Sequence, residues 1–108
     1  MGLNEHNVES SMEMIVHAGD AQSKALEAMD RVAEDDFVQA EALIEQSKEC
    51  IRLAHAVHRS LLQKVSSGEN VVPDLILVHA MDHLTMAETL NALARKLLKL
   101  FQRENRNG

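Results

Sequence analysis

Three stretches of the chain repeat apolar residues at steps of three and four, the spacing that lines one face of an α-helix. The first runs from about Asn7 to Glu34, with Ile15, Ala18, Ala21, Ala25, Met29 and Val32 on one side. Gly19 interrupts it. A glycine inside a helix costs about 1 kcal/mol against alanine, so either another backbone comes close there or the glycine is simply tolerated. The second stretch starts at Asp36, whose carboxylate can cap a helix, and Gln39 stands at the capping-box spacing from it. Its seam reads Phe37, Ala40, Ile44, Ser47, Ile51, Ala54, His58, Leu61 and Val65, the pattern of long antiparallel bundles. Ser47 and His58 are the polar members of the seam, and His58 reads as a hydrogen-bonded residue rather than a ligand. "SSGENVVPD" is the one clear loop, and Pro73 with Asp74 marks the next helix start.

The third stretch carries two apolar rows instead of one. His79, His83, Met86, Leu90, Leu93, Leu97 and Leu100 form the first; Ala80, Leu84, Ala87, Asn91, Ala94, Leu98 and Phe101 form the second. A helix apolar on several sides is a buried helix, and three helices are too few to bury it. Further copies of the chain are the expected cover, which predicts an oligomer built around the third helix.

Composition narrows the fold class and removes several functions. One proline and four glycines among 108 residues, with abundant Ala, Leu, Glu, Met and Gln, favour an all-α protein. We expect one domain over residues 1–108, a three-helix antiparallel up-down bundle, with flexible ends at 1–7 and 102–108, where the polar tail "QRENRNG" should fray. A formal net charge of −6 argues against nucleic acid and anionic membrane as partners. Two Phe and no Trp or Tyr leave little to stack on a base or a sugar ring. Cys50, the only cysteine, can form no intrachain disulfide. The start "MGLNEHNVESS" lacks a signal-peptide pattern and no apolar run reaches membrane-spanning length, so a soluble cytoplasmic protein is expected.

The candidate chemistry sits in "HAMDH". On a helix His79 lies beside both Asp82 and His83. Three readings fit. One is a buried polar network at a subunit interface, with His bonded to Asp. Another is a metal site, although Ala80 stands where the glutamate of a zincin "HExxH" would be, and the paired Glu-x-x-His motifs of a di-iron bundle are absent. The third is a nucleophilic imidazole that accepts a phosphoryl group on one nitrogen while the other is held by a hydrogen bond.

"LVHAMDHL" resembles the "VHAQDHLM" signature of enzyme IIA of the lactose/cellobiose type, from the bacterial phosphoenolpyruvate-dependent sugar phosphotransferase system. "IVHAGDAQSKALEAM" is similar to the family's "NAGDARSLAMEAL", "EDDFVQAEALIEQSKE" to its "GDFEEAEELL" region, and "AHAVHRSLLQK" to its "AHxxQTxLIQ". The resemblance covers roughly Met14 to Phe101, in order. It implies a three-helix chain that assembles as a homotrimer and carries phosphoryl groups. His79 would be phosphorylated by the carrier protein HPr and would pass the group to a cysteine of the cognate enzyme IIB, for uptake of a disaccharide. Asp82 would meet its symmetry mates on the three-fold axis and share one divalent cation, Mg²⁺, while His83 would lie near the phosphoryl site and orient it. A largely apolar rim near His79 is expected for the two successive partners.

Four positions depart from the family pattern. Met81 replaces a Gln, Gln22 replaces an Arg, and His17 and His58 stand where Asn and Gln are common. The rival reading is a non-catalytic or regulatory helical trimer whose HxxDH cluster is structural or metal-binding.

Overall fold

The computed structural model describes residues 5–71 and 73–107, all of them helix or connecting turn. Helix α1 spans Glu5–Ala33, α2 Phe37–Ser66 and α3 Leu75–Asn107. They form an up-down-up rod of 62 × 20 × 16 Å. Helix α1 packs along both others, while α2 and α3 meet less closely. The polar tail expected to fray continues α3 as regular helix to Asn107, and residues 1–4 at the other end lie outside the described residues.

The four helix ends at the two connections are each closed by a side chain or a backbone loop that satisfies orphan groups. After α1, the Asp35 N–H donates to Val32 O at 3.0 Å and the Asp36 N–H to Arg31 O at 2.9 Å, the pair of bonds of a Schellman end. The turn residue Asp35 takes φ +60°, a left-handed conformation that Asp tolerates better than most residues. Asp36 then caps α2, its Oδ1 accepting from the Gln39 N–H at 3.2 Å, as the sequence predicts. The same motif ends α2, with Gly68 at φ +92° and the Glu69 N–H donating to Lys64 O at 2.9 Å. Asp74 caps α3 by accepting from the Leu77 N–H at 2.8 Å.

The core divides into two apolar clusters. One gathers Met14, Ala18, Ala21, Ala54, Leu61, Ala80, Leu84 and Ala87; the other Ala25, Ala28, Val32, Ala40, Leu43, Ile44, Ala94 and Leu98. Alanine fills nine of these sixteen positions, which lets the three helices approach closely. Between the clusters lies a polar waist. Ser47 Oγ donates to Ala21 O at 2.8 Å, and Asn91 Nδ2 donates to Ile44 O at 3.1 Å while its Oδ1 accepts from Arg95 at 2.6 Å. These bonds satisfy groups that would otherwise cost free energy when buried.

One open alternative is decided, and two details differ from expectation. A Cβ on Gly19 would meet nothing within 4 Å, so no backbone comes close there and the glycine is merely tolerated. His58 is half-buried and its ring makes no hydrogen bond among the described residues, because its seam position lies beyond the polar waist. Phe101 leaves the buried row at 39% exposure, since its helix has by then outrun the partners that cover Leu98. Much of the other row of α3 stays uncovered, with Met86, Leu93 and Leu100 about half exposed, while Leu90 packs against the second cluster.

Candidate functional site

The cap at Asp74 starts α3 close enough to "HAMDH" that His79 lies in its second turn, with His83 one turn later. The two rings meet edge to face, centroids 4.5 Å apart at 87°. Nε2 of His83 lies 3.2 Å from Nε2 of His79. Gln22 reaches across from α1, its side-chain nitrogen 2.9 Å from Nδ1 of His83 and 2.9 Å from the His83 carbonyl oxygen. That link follows from the packing: Ala18, Ala21 and Ala25 sit wholly inside, which rotates the neighbouring Gln22 onto the rim facing α3.

His79 stands between two hollows. An open apolar one of about 430 Å³ is lined by Met12, Ile15, Leu75, Ile76 and His79 itself. A more polar one is lined by Gln22, His79, Asp82, His83 and Met86. His79 is exposed and His83 half-buried, so the imidazole offered to solvent is the first and the one supporting it is the second.

The sequence places His79 beside both Asp82 and His83, and the structure joins only the histidines. Asp82 is exposed, lines the same hollow and makes no hydrogen bond among the described residues. Nor do the described residues of one chain gather three or more His, Cys, Asp or Glu in a metal-holding group. One carboxylate on an uncovered helix face suits a hard cation only if other copies bring more oxygens to it. Met81 is exposed and lines neither hollow, and His17 pairs with Glu13 on its own helix at 3.5 Å. His55 bonds Glu88 at 2.8 Å across α2 and α3. Burial, and then the Asp20 carboxylate, push the Cys50 thiol up from its ordinary value, which lowers its thiolate fraction. The residue that sequence reasoning missed as a site member is Gln22, noticed only as a departure from the family pattern.

No described helix is long and apolar enough to cross a membrane. Comparison with known proteins is consistent along the whole bundle. The family described as "PTS system, Lactose/Cellobiose specific IIA subunit" matches residues 9–102. The lactose-specific EIIA component of Staphylococcus aureus is 38% identical over 91 residues, 84% of this chain and 88% of that protein. The oligo-beta-mannoside-specific EIIA component of Bacillus subtilis is 33% identical over 95 residues, 88% of this chain and 86% of that protein. The crystal structure of the cellobiose-specific enzyme IIA from Bacillus anthracis superposes with a TM-score of 0.88 at 29% identity, covering 93% of this chain and 92% of that one. A chain from the solution structures of the IIA(Chitobiose)–HPr complex superposes with a TM-score of 0.78 at 30% identity, covering 90% and 94%. With the matched segment running through all three helices and the histidine pair, the chain belongs to the lactose/cellobiose-specific IIA family and has a phosphocarrier role in the phosphotransferase system.

Proposed function

We propose that His79 is the phosphoryl acceptor, loaded by phospho-HPr in the cytoplasm and discharged to the cysteine of a cognate enzyme IIB, for uptake of a disaccharide of the lactose/cellobiose class. The observation that carries this reading is an exposed imidazole buttressed by a second one at 3.2 Å, on the rim of an apolar hollow. An apolar hollow with a reactive group at its edge suits a protein partner better than a sugar, for which the chain has almost no aromatic platform.

The chemistry is two in-line displacements. A ring nitrogen of His79 attacks phosphorus with its lone pair, an N–P bond forms, and the donor's N–P bond breaks with its electron pair returning to the donor nitrogen. In the second step the thiolate sulfur of the partner attacks, an S–P bond forms, and the N–P pair returns to His79. Among the described residues no lysine or arginine lines either hollow, so the oxygens of the transferring group depend on His83, Gln22 and whatever the partner brings.

The same reading includes assembly. Three copies meeting through the uncovered row of α3 would bury Met86, Leu93 and Leu100 and bring three Asp82 carboxylates to one axis. Such carboxylates repel one another unless neutralised, and a divalent cation such as Mg²⁺ with hard oxygen ligands would do so.

Incubation with phosphoenolpyruvate, enzyme I and HPr should give an acid-labile phosphoryl adduct, and His79→Gln should abolish it while helicity is kept. Labelling that survives in His79→Gln, or that maps to His17 or His58, overturns the assignment.

A further inference from the structure

We propose that Gln22 is a positioning residue: through His83 it fixes which nitrogen of each imidazole carries hydrogen, and so presents the lone pair of His79 on Nε2. The proposal rests on the phosphocarrier reading above and deepens it by naming the accepting atom and what holds it ready.

The orientation of the Gln22 amide is decided by its partners. Its nitrogen lies 2.9 Å from the His83 carbonyl oxygen, which can only accept. Turning the amide over would set oxygen against oxygen, so the NH₂ group must face that carbonyl. The same nitrogen lies 2.9 Å from Nδ1 of His83, and an NH₂ group has two hydrogens, one for each acceptor. Nδ1 of His83 therefore holds a lone pair, and the single hydrogen of the neutral ring sits on Nε2. That Nε2 lies 3.2 Å from Nε2 of His79. A bond between two ring nitrogens needs one hydrogen, and His83 supplies it, which leaves His79 with its lone pair on Nε2 and its hydrogen on Nδ1.

The arrangement has a use in the transfer step. When phosphorus arrives, the His79 Nε2 lone pair becomes the N–P bond. The His83 Nε2–H, which held that lone pair, is then released beside the new phosphoryl group and can donate to one of its oxygens. No proton changes residue in the step: His79 keeps its Nδ1 hydrogen and His83 its Nε2 hydrogen. A cross-brace that merely spaced α1 from α3 would need neither donor identity nor direction. The chain is thus able to use Gln where the family pattern carries Arg, because an amide NH₂ and a guanidinium are both donors toward these two acceptors.

The test reads tautomers directly, and so does not depend on phosphorylation. In protein labelled with ¹⁵N in its imidazoles, at about pH 8.5, well above the ordinary imidazole pKa of about 6.5, two-bond ¹H–¹⁵N correlations should show hydrogen on Nε2 of His83 and on Nδ1 of His79. Gln22→Glu offers only acceptors and should invert both rings. Gln22→Met removes both bonds, should give mixed tautomers, and should slow phosphoryl transfer from HPr roughly tenfold, the scale of one ordinary hydrogen bond. Gln22→Arg should restore the parent tautomers and most of the rate. Hydrogen on Nδ1 of His83 in the parent overturns the proposal, as do unchanged tautomers in Gln22→Glu or equal rates for the Met and Arg variants. Should a variant fail to fold, the parent spectrum alone still decides. Absence of labelling in the parent overturns the phosphocarrier reading instead, while the spectra continue to judge Gln22.

Discussion

Along α3, Ala80, Leu84, Ala87, Asn91, Ala94 and Leu98 face inward, while His79, His83, Met86, Leu90, Leu93, Leu97 and Leu100 look outward or lie at the edge. Both rows are apolar enough to be a core, and hydrophobicity alone would not rank them. Size does. The inward row alternates alanine with leucine or asparagine, which lets α1 approach closely, while the outward row is built almost wholly of long side chains. Close packing selects the row that fits between helices already fixed by their connections. The remaining row, wide and deformable with Met and Leu, is left as a surface for other chains. Both histidines belong to that outer row, so the proposed phosphoryl acceptor stands on the face left open to other chains.

The largest effect should come from breaking the inward row. Ala87 is wholly buried among apolar neighbours, and Ala87→Asp would bury a carboxylate with no partner, a loss of several kcal/mol from a total on the order of 5–15 kcal/mol. Far-ultraviolet circular dichroism should show most of the helix lost or the melt lowered by tens of degrees. A folded variant with a parent-like melt would show that the inward row is not the core that it resembles. An outward change should act differently. Leu93→Glu removes about 2 kcal/mol of apolar burial per chain in an assembly, roughly a 30-fold weakening at each copy before charge repulsion is counted. Light scattering should fall from the proposed trimer toward a monomer with helicity retained. An unchanged mass would place the interface elsewhere.

The smallest effect sharpens the comparison inside the inward row. Asn91 is its one polar member and is 3% exposed. Asn91→Ala should cost about 1–2 kcal/mol, because Arg95 loses an acceptor and the brace to Ile44 O disappears. The midpoint should fall by about 4–8 °C, with assembly and labelling intact. A variant that also dissociates would mean the waist serves the outward face as well.

The bundle itself was legible because its signals are local. The Asp36 and Asp74 caps follow from residues three and four apart, as does the seam from Phe37, which the structure keeps as far as Leu61, while Val65, its last expected member, is exposed. The membership of the α1 core was legible in Ala18, Ala21, Ala25 and Val32, whereas Met14 and Ala28 are buried without having been singled out. What local spacing could not supply was the register of one helix against another. His79 has two neighbours on its own helix, Asp82 and His83, and only rotamers and surroundings choose between them. The choice falls on His83, whose far nitrogen is engaged by Gln22 from 61 residues away. No periodicity within α1 or α3 announces that pairing. The uncovered row could be expected from its surplus of apolar residues, yet which of the two rows would stay outside depended on the size of alanines on α1 and α2.

The alanine lining also bears on how freely this sequence can drift. Ala18, Ala21, Ala25, Ala28, Ala40, Ala54, Ala80, Ala87 and Ala94 are all fully enclosed. From alanine every substitution but one adds atoms where there is no room, and the exception, glycine, loosens the helix by about 1 kcal/mol. A wall of leucines can trade among Ile, Met and Val with modest loss; a wall of methyl groups has almost no neutral neighbours in sequence space. Tolerated change is thereby confined to the outside of the rod, where Met81 and Gln22 stand.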